Sequence, residues 1–91
     1  MRDERIREAV LWLSHALGDL AAARAHRGRR VPPRTVAFSA QQAAEKALKA
    51  ALIMAEVVPP RTHDLDDLRN RLPTGWRVKV THQDLARLSD Y

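Results

Sequence analysis

Cysteine is absent from the 91 residues, which excludes disulfides and thiolate metal sites alike. Glycine occurs three times and aromatic side chains make up only 4% of the chain. The 45% apolar share is mostly alanine, leucine and valine, a composition that points to closely packed helices and away from a sheet. No apolar run approaches the roughly 20 residues needed to span a membrane. The first residues, Met1-Arg2-Asp3-Glu4-Arg5, alternate in charge, unlike a signal peptide, so the cytoplasm is the expected compartment. No set of His, Asp and Glu has metal-ligand spacing, and no cofactor is implied. The length allows one small domain, residues 1–91, with a modest core.

Acidic residues are missing from one long window. None lies between Asp19 and Glu45, whereas Arg24, Arg27, Arg29, Arg30 and Arg34 all do. Outside that window 11 basic residues face 11 acidic ones, so the net charge of +5 is gathered at one place. Charge concentrated in this way attracts phosphate better than the same charge spread evenly. It also fits a plainer role, since cations are favoured at a helix C-terminus.

What is present reads as four helices. The first runs from about Asp3 to about Arg27. Ile6, Val10, Leu13, Leu17 and Leu20 step by four and three along one apolar stripe, and Trp12 with Ala9, Ala16 and Ala23 forms a second, smaller face. Gly28 and Pro32-Pro33 stop it. The second helix runs from about Arg34 to Glu56 and is apolar over an arc of about 200°, twice what one neighbour covers, so it is the central helix. Gln42, Glu45, Lys46 and Lys49 fill its polar side, with Phe38 and Ile53 among them and exposed in a monomer. Thr62 is placed to cap a short third helix that buries Leu65, Leu68 and Leu72. After Pro73, Thr74 and Gly75 comes an extended link, 76–80, and a fourth helix opening at Thr81 and burying Leu85 and Leu88. The two short helices cover only about half of the long pair, each about 35 Å at 1.5 Å per residue. A second copy is the expected cover, or residues that continue a fourth helix cut short at Tyr91.

The strongest local signature is Phe38-Ser39-Ala40-Gln41-Gln42-Ala43-Ala44-Glu45-Lys46-Ala47-Leu48-Lys49-Ala50, followed by Thr62-His63-Asp64-Leu65 and then Leu68. This order resembles the HEPN family of small helical nucleotide- and RNA-associated proteins. The resemblance implies an all-α, up-and-down bundle of four or five helices that forms a homodimer. It also implies a two-component, toxin-antitoxin-like setting with a minimal nucleotidyltransferase as partner. Some relatives are metal-independent ribonucleases, marked by Arg, four to six residues, then His. Here Arg77-Val78-Lys79-Val80-Thr81-His82 has that spacing, although no polar residue of the family's kind clearly follows the histidine.

Two functions follow from these residues. In the first, RNA or a nucleotide is held by the basic pole (Arg24, Arg27, Arg29, Arg30, Arg34 and Lys79) and is bound or cleaved, with His82 as general base and Arg77 stabilising phosphorane charge. In the second, the chain is a non-catalytic module docking a protein partner through the second helix. Gln42, Glu45, Lys46 and Lys49, with Arg61 and His63 after the turn, are the nucleotide- or partner-binding candidates. Each has a structural alternative: Glu45 with Lys49 fits an i,i+4 ion pair on a solvated face, and His63 fits a corner residue bonded to a carbonyl.

Overall fold

The computed structural model describes residues 2–26 and 32–75. Among them are three helices and no strand: α1 (Arg2–His26), α2 (Pro33–Met54) and α3 (Leu65–Asn70). The extended link and the fourth helix expected after Gly75 lie outside the described residues. α2 is the central element, packed by α1 on one side and α3 on the other. α1 and α2 are antiparallel, as three cross-contacts show: Arg5 meets Glu56, Trp12 meets Lys49 and Asp19 meets Lys46. No described helix is long and apolar enough to cross a membrane.

The face of α1 that packs is the smaller of its two. Ala9, Ala16 and Ala23 are buried, whereas Val10, Leu13 and Leu17 of the larger stripe are about half exposed. The reason is the size of the side chains. The alanines recur every seven residues, as do Ala43 and Ala50 of α2, which are also buried. A seven-residue repeat keeps one narrow seam facing the partner helix, and methyl groups let the two backbones approach closely. The leucine stripe then flanks the seam. Ile6, Val10 and Leu13 with Ala47, Ala51 and Met54 line an apolar groove of about 400 Å³ along the edge of the hairpin.

A second core joins α2 to α3. Leu48 and Leu52 pack with Leu65 and Leu68, and Ala44, Val57 and Leu72 close around them. α3 is only six residues long, so these leucines hold it far more than its own backbone bonds do. Its cap is Asp64 rather than Thr62. The Asp64 carboxylate accepts from the amides of Asp66 and Asp67 at 3.0 and 3.2 Å, while the Thr62 hydroxyl accepts two residues earlier, from Asp64 N–H at 3.1 Å. An ionised acceptor at a helix N-terminus is the stronger cap.

α2 ends in paired bonds from Val57 N–H to the Leu52 carbonyl (2.9 Å) and from Glu56 N–H to the Ile53 carbonyl (3.1 Å). This is a Schellman end, whose left-handed position usually holds glycine. Here Glu56 occupies it, at φ 65°. The left-handed conformation costs an L-residue about 1–2 kcal/mol. Its ion pair with Arg5 is exposed and returns less than about 1 kcal/mol. Glu56→Gly is therefore expected to raise unfolding free energy, by at most about 1 kcal/mol once the greater chain entropy of glycine and the lost ion pair are subtracted. Urea denaturation reads this directly, and a loss of stability would contradict it.

Ile53, expected to be exposed in a monomer, is buried. It lies beside Arg5 and Glu8 of α1 and under Val57, Val58 and Pro59, where the chain folds back after α2. Phe38 is half exposed, as its place on the wheel implies.

Candidate functional site

The polar edge of α2 does not face water. Glu45 and Gln41, one turn earlier, are 4% and 2% exposed. Residues 57–64 run back over this edge after the Schellman end and bring His63 onto it. His63 Nδ1 lies 2.6 Å from Glu45 Oε1, and Lys49 Nζ donates to Glu45 Oε2 at 3.1 Å. Gln41 Nε2 donates to Glu45 Oε1 at 3.3 Å, and Gln42 Nε2 donates to Gln41 Oε1 at 2.8 Å. Glu45 is thus a buried hub with three side-chain partners. Lys49 also lies over the Trp12 ring, 5.5 Å from its centroid, which ties the hub to α1.

This arrangement overturns the solvated-face reading of Glu45 and Lys49. It also replaces the expected carbonyl partner of His63 with a carboxylate. A helical wheel gives the polar edge of α2 but not the segment that covers it. Lys46 is engaged as well: its Nζ forms an ion pair with Asp19 Oδ2 at 2.7 Å. Gln41, Trp12 and Asp19 were not among the site candidates. The signals for Gln41 are its place in the family signature and in the ladder Gln41–Glu45–Lys49, four residues apart.

Burial pushes the Glu45 carboxyl up, but the hydrogen bonds from His63 and Lys49, with their charges, outweigh it and hold the carboxyl below its ordinary value of 4.5. A group lowered on folding contributes stability that is complete above its unfolded pKa and lost as the pH falls through the folded one. Stability should therefore hold above about pH 5 and decline below 4.5. Glu45→Gln should flatten that acid limb when urea midpoints are compared at pH 7 and pH 3.5. An equally steep limb in the variant would show that the hub does not carry it.

The cationic candidates divide by position. Arg24, in the last turn of α1, and Arg34, in the first turn of α2, are exposed and have no ion pair among the described residues. Arg61 is likewise exposed and unpaired there, at the other end of the hairpin, near the α2 C-terminus. Arg69 and Arg71 add no net charge, since they pair with Asp66 and Asp67 at 3.2 and 3.1 Å. Arg27, Arg29, Arg30, Arg77, Lys79 and His82 lie outside the described residues, the proposed Arg–His pair among them. Among the described residues no three His, Asp or Glu side chains group as a metal site.

The Gln-Gln-Ala-Ala-Glu-Lys segment is thus the internal hub of the fold, and Thr-His-Asp-Leu is the segment that closes on it. A family model described as HEPN domain matches residues 9–91, which takes in both. The chain belongs to the HEPN family. Comparison with curated proteins and with solved structures gave no match. Membership of the HEPN family makes this a helical module of the nucleotide- and RNA-related kind, and in this HEPN chain the two family segments meet at Glu45 and His63.

Proposed function

We propose that this HEPN chain, a single domain over residues 1–91, is one half of a two-component, toxin-antitoxin-like pair that acts on nucleotides or RNA. Its cationic end contacts phosphate, and a minimal nucleotidyltransferase is the second component. The observation that carries the phosphate reading is the placement of Arg24 and Arg34. They sit exposed at the two helix ends that the 27–32 connection joins, with no ion pair among the described residues. Arg27, Arg29 and Arg30 fall between them in sequence. In the catalytic form of this reading, His82 takes the proton of a ribose 2′-hydroxyl and Arg77 stabilises the charge on phosphorus.

Docking through the polar side of α2 is the weaker reading. Lys46 and Lys49 already pair within the chain, with Asp19 and Glu45, and Glu45 is buried, so a partner would have to break two ion pairs to use them. The apolar groove along α1 and α2 suits association better. We assign it to a second copy of the chain, because the stripe of Val10, Leu13 and Leu17 is too apolar to stay in water.

The test is to incubate the protein with a mixed RNA pool, without added metal, beside Arg77→Ala and His82→Ala. Cleavage lost in both variants makes the chain a ribonuclease. RNA retained on the protein but intact makes it a binding component. Neither RNA nor nucleotide bound at low salt would contradict the proposal.

A further inference from the structure

The large apolar side chains that stay exposed among the described residues divide by place. Ile6, Val10, Leu13 and Met54 line the groove along the hairpin, and Leu17 continues their stripe. Val58, on the strap of residues 57–64, and Leu11, in the first half of α1, lie toward the end of the hairpin away from the arginines. Phe38 belongs to neither group. It is the only phenylalanine of the chain, it is 50% exposed, and it does not line the groove assigned to a second copy.

Its neighbours are cationic. Phe38 lies on the second turn of α2, four residues after Arg34. Residues four apart on a helix are neighbours, about 5–6 Å between Cβ atoms. An exposed ring and an exposed, unpaired guanidinium therefore stand side by side, with Arg24 in the last turn of α1 at the same end. The first turn of α2 carries no acidic side chain that would occupy Arg34 or repel an anion. The same row continues to Gln42 and Lys46, and both are tied inward, Gln42 to Gln41 and Lys46 to Asp19. The row thus leaves two groups open, the guanidinium and the ring.

That pairing fits a ligand with a flat π-face at one point and an anion close by. A nucleotide is built so, and one nucleotide can lay its base on the ring with its phosphate against the guanidinium. Strandedness then matters. In duplex RNA the bases stack on one another and offer only their edges and the backbone, whereas a base of a single strand can swing out and stack on an aromatic side chain. We infer that Phe38 is a base-stacking platform that makes the arginine end select single-stranded RNA over duplex. Arg24 and Arg34 hold phosphate in either form, and the ring adds affinity only where a base is free. Because every base has a π-face, the ring selects for strandedness and leaves base sequence unread.

The inference rests on the reading of the arginine end as an RNA contact and adds to it the kind of RNA. Its test is the affinity of the intact chain for a labelled single-stranded RNA and for the duplex of the same sequence, over a range of salt. Phe38→Ala should weaken single-strand binding about 5- to 150-fold, the loss of one stacked base, and leave duplex binding unchanged. Its salt slope should match the parent's, because no phosphate contact is removed. Phe38→Tyr keeps a ring and should bind as the parent does. Circular dichroism and sedimentation of both variants should also match the parent's. Equal losses on the two RNAs, or no loss on the single strand, would overturn the inference and leave the phosphate reading in place. A parent chain that binds neither RNA at low salt would overturn both. Unchanged RNA affinity in Phe38→Ala with a lower sedimenting mass would make the ring a protein contact, which also overturns the inference.

Discussion

Leu68→Ala should lower unfolding free energy by about 3 kcal/mol, among the largest losses expected of a single substitution in the described residues. Leu68 is fully buried, as are Leu65 and Leu52. Truncating a fully buried leucine removes its transfer energy and leaves a cavity, which together come to about 2.7–5 kcal/mol. The setting places the loss at α3. Six residues cannot hold a helix alone, and α3 touches α2 through Leu65 and Leu68. Without Leu68, α3 and the strap should separate first, and the alanine seam of α1 and α2 should persist. Urea denaturation gives the total, and helical signal retained past a first transition would show the order of events. A loss below about 1 kcal/mol would mean that the leucine cluster is not what holds α3.

Val10→Asp combined with Leu13→Asp should turn a dimer into a monomer without unfolding the chain. Both side chains are about half exposed within one copy, 56% and 47%, so a charge there costs the single chain little. Both line the groove assigned to a second copy. Buried in a two-fold interface, each aspartate appears twice and is left without a partner. At about 1–3 kcal/mol for each unsatisfied group, dissociation should become easier by a factor of a hundred or more. Sedimentation equilibrium is the direct reading. The parent chain is expected at twice its 10.3 kDa and the variant at 10.3 kDa, with the circular dichroism of both the same. A parent chain already at 10.3 kDa would remove the homodimer from the account.

Local sequence carried the helices well, because caps and stops are local. The first helix was expected over Asp3 to Arg27 and spans Arg2–His26; the second was expected over Arg34 to Glu56 and spans Pro33–Met54. The third cap was misplaced by two residues because Thr62 and Asp64 are both competent, and only the backbone decides which carboxylate or hydroxyl meets the first free amides. The central position of α2 followed from its wide apolar arc. Which face of α1 packs did not follow. Hydrophobicity favoured the leucine stripe, but close approach favoured Ala9, Ala16 and Ala23, and a wheel weighs transfer energy without backbone distance. The hub was hidden for a related reason. Gln41, Glu45 and Lys49 are polar, and their burial comes from a strap that follows α2 and folds back over them. A non-local contact between residues 45 and 63 leaves no periodic trace, whereas the family signature does pair the two segments. The Arg77–His82 spacing lies outside the described residues, so its chemistry rests on the RNA assay alone.

The central claim is that phosphate is met at the arginine end of the α1–α2 hairpin, and the salt dependence of RNA binding tests it most directly. Affinity for a single-stranded RNA should be measured from low to moderate salt for the parent chain and for Arg24→Ala combined with Arg34→Ala. Each phosphate contact to a single strand contributes about 0.7 to the slope of log affinity against log salt. The account predicts a steep slope in the parent and a slope shallower by about 1.4 in the double variant, with the fold unchanged. A parent slope near zero, or the same slope in both proteins, would contradict it.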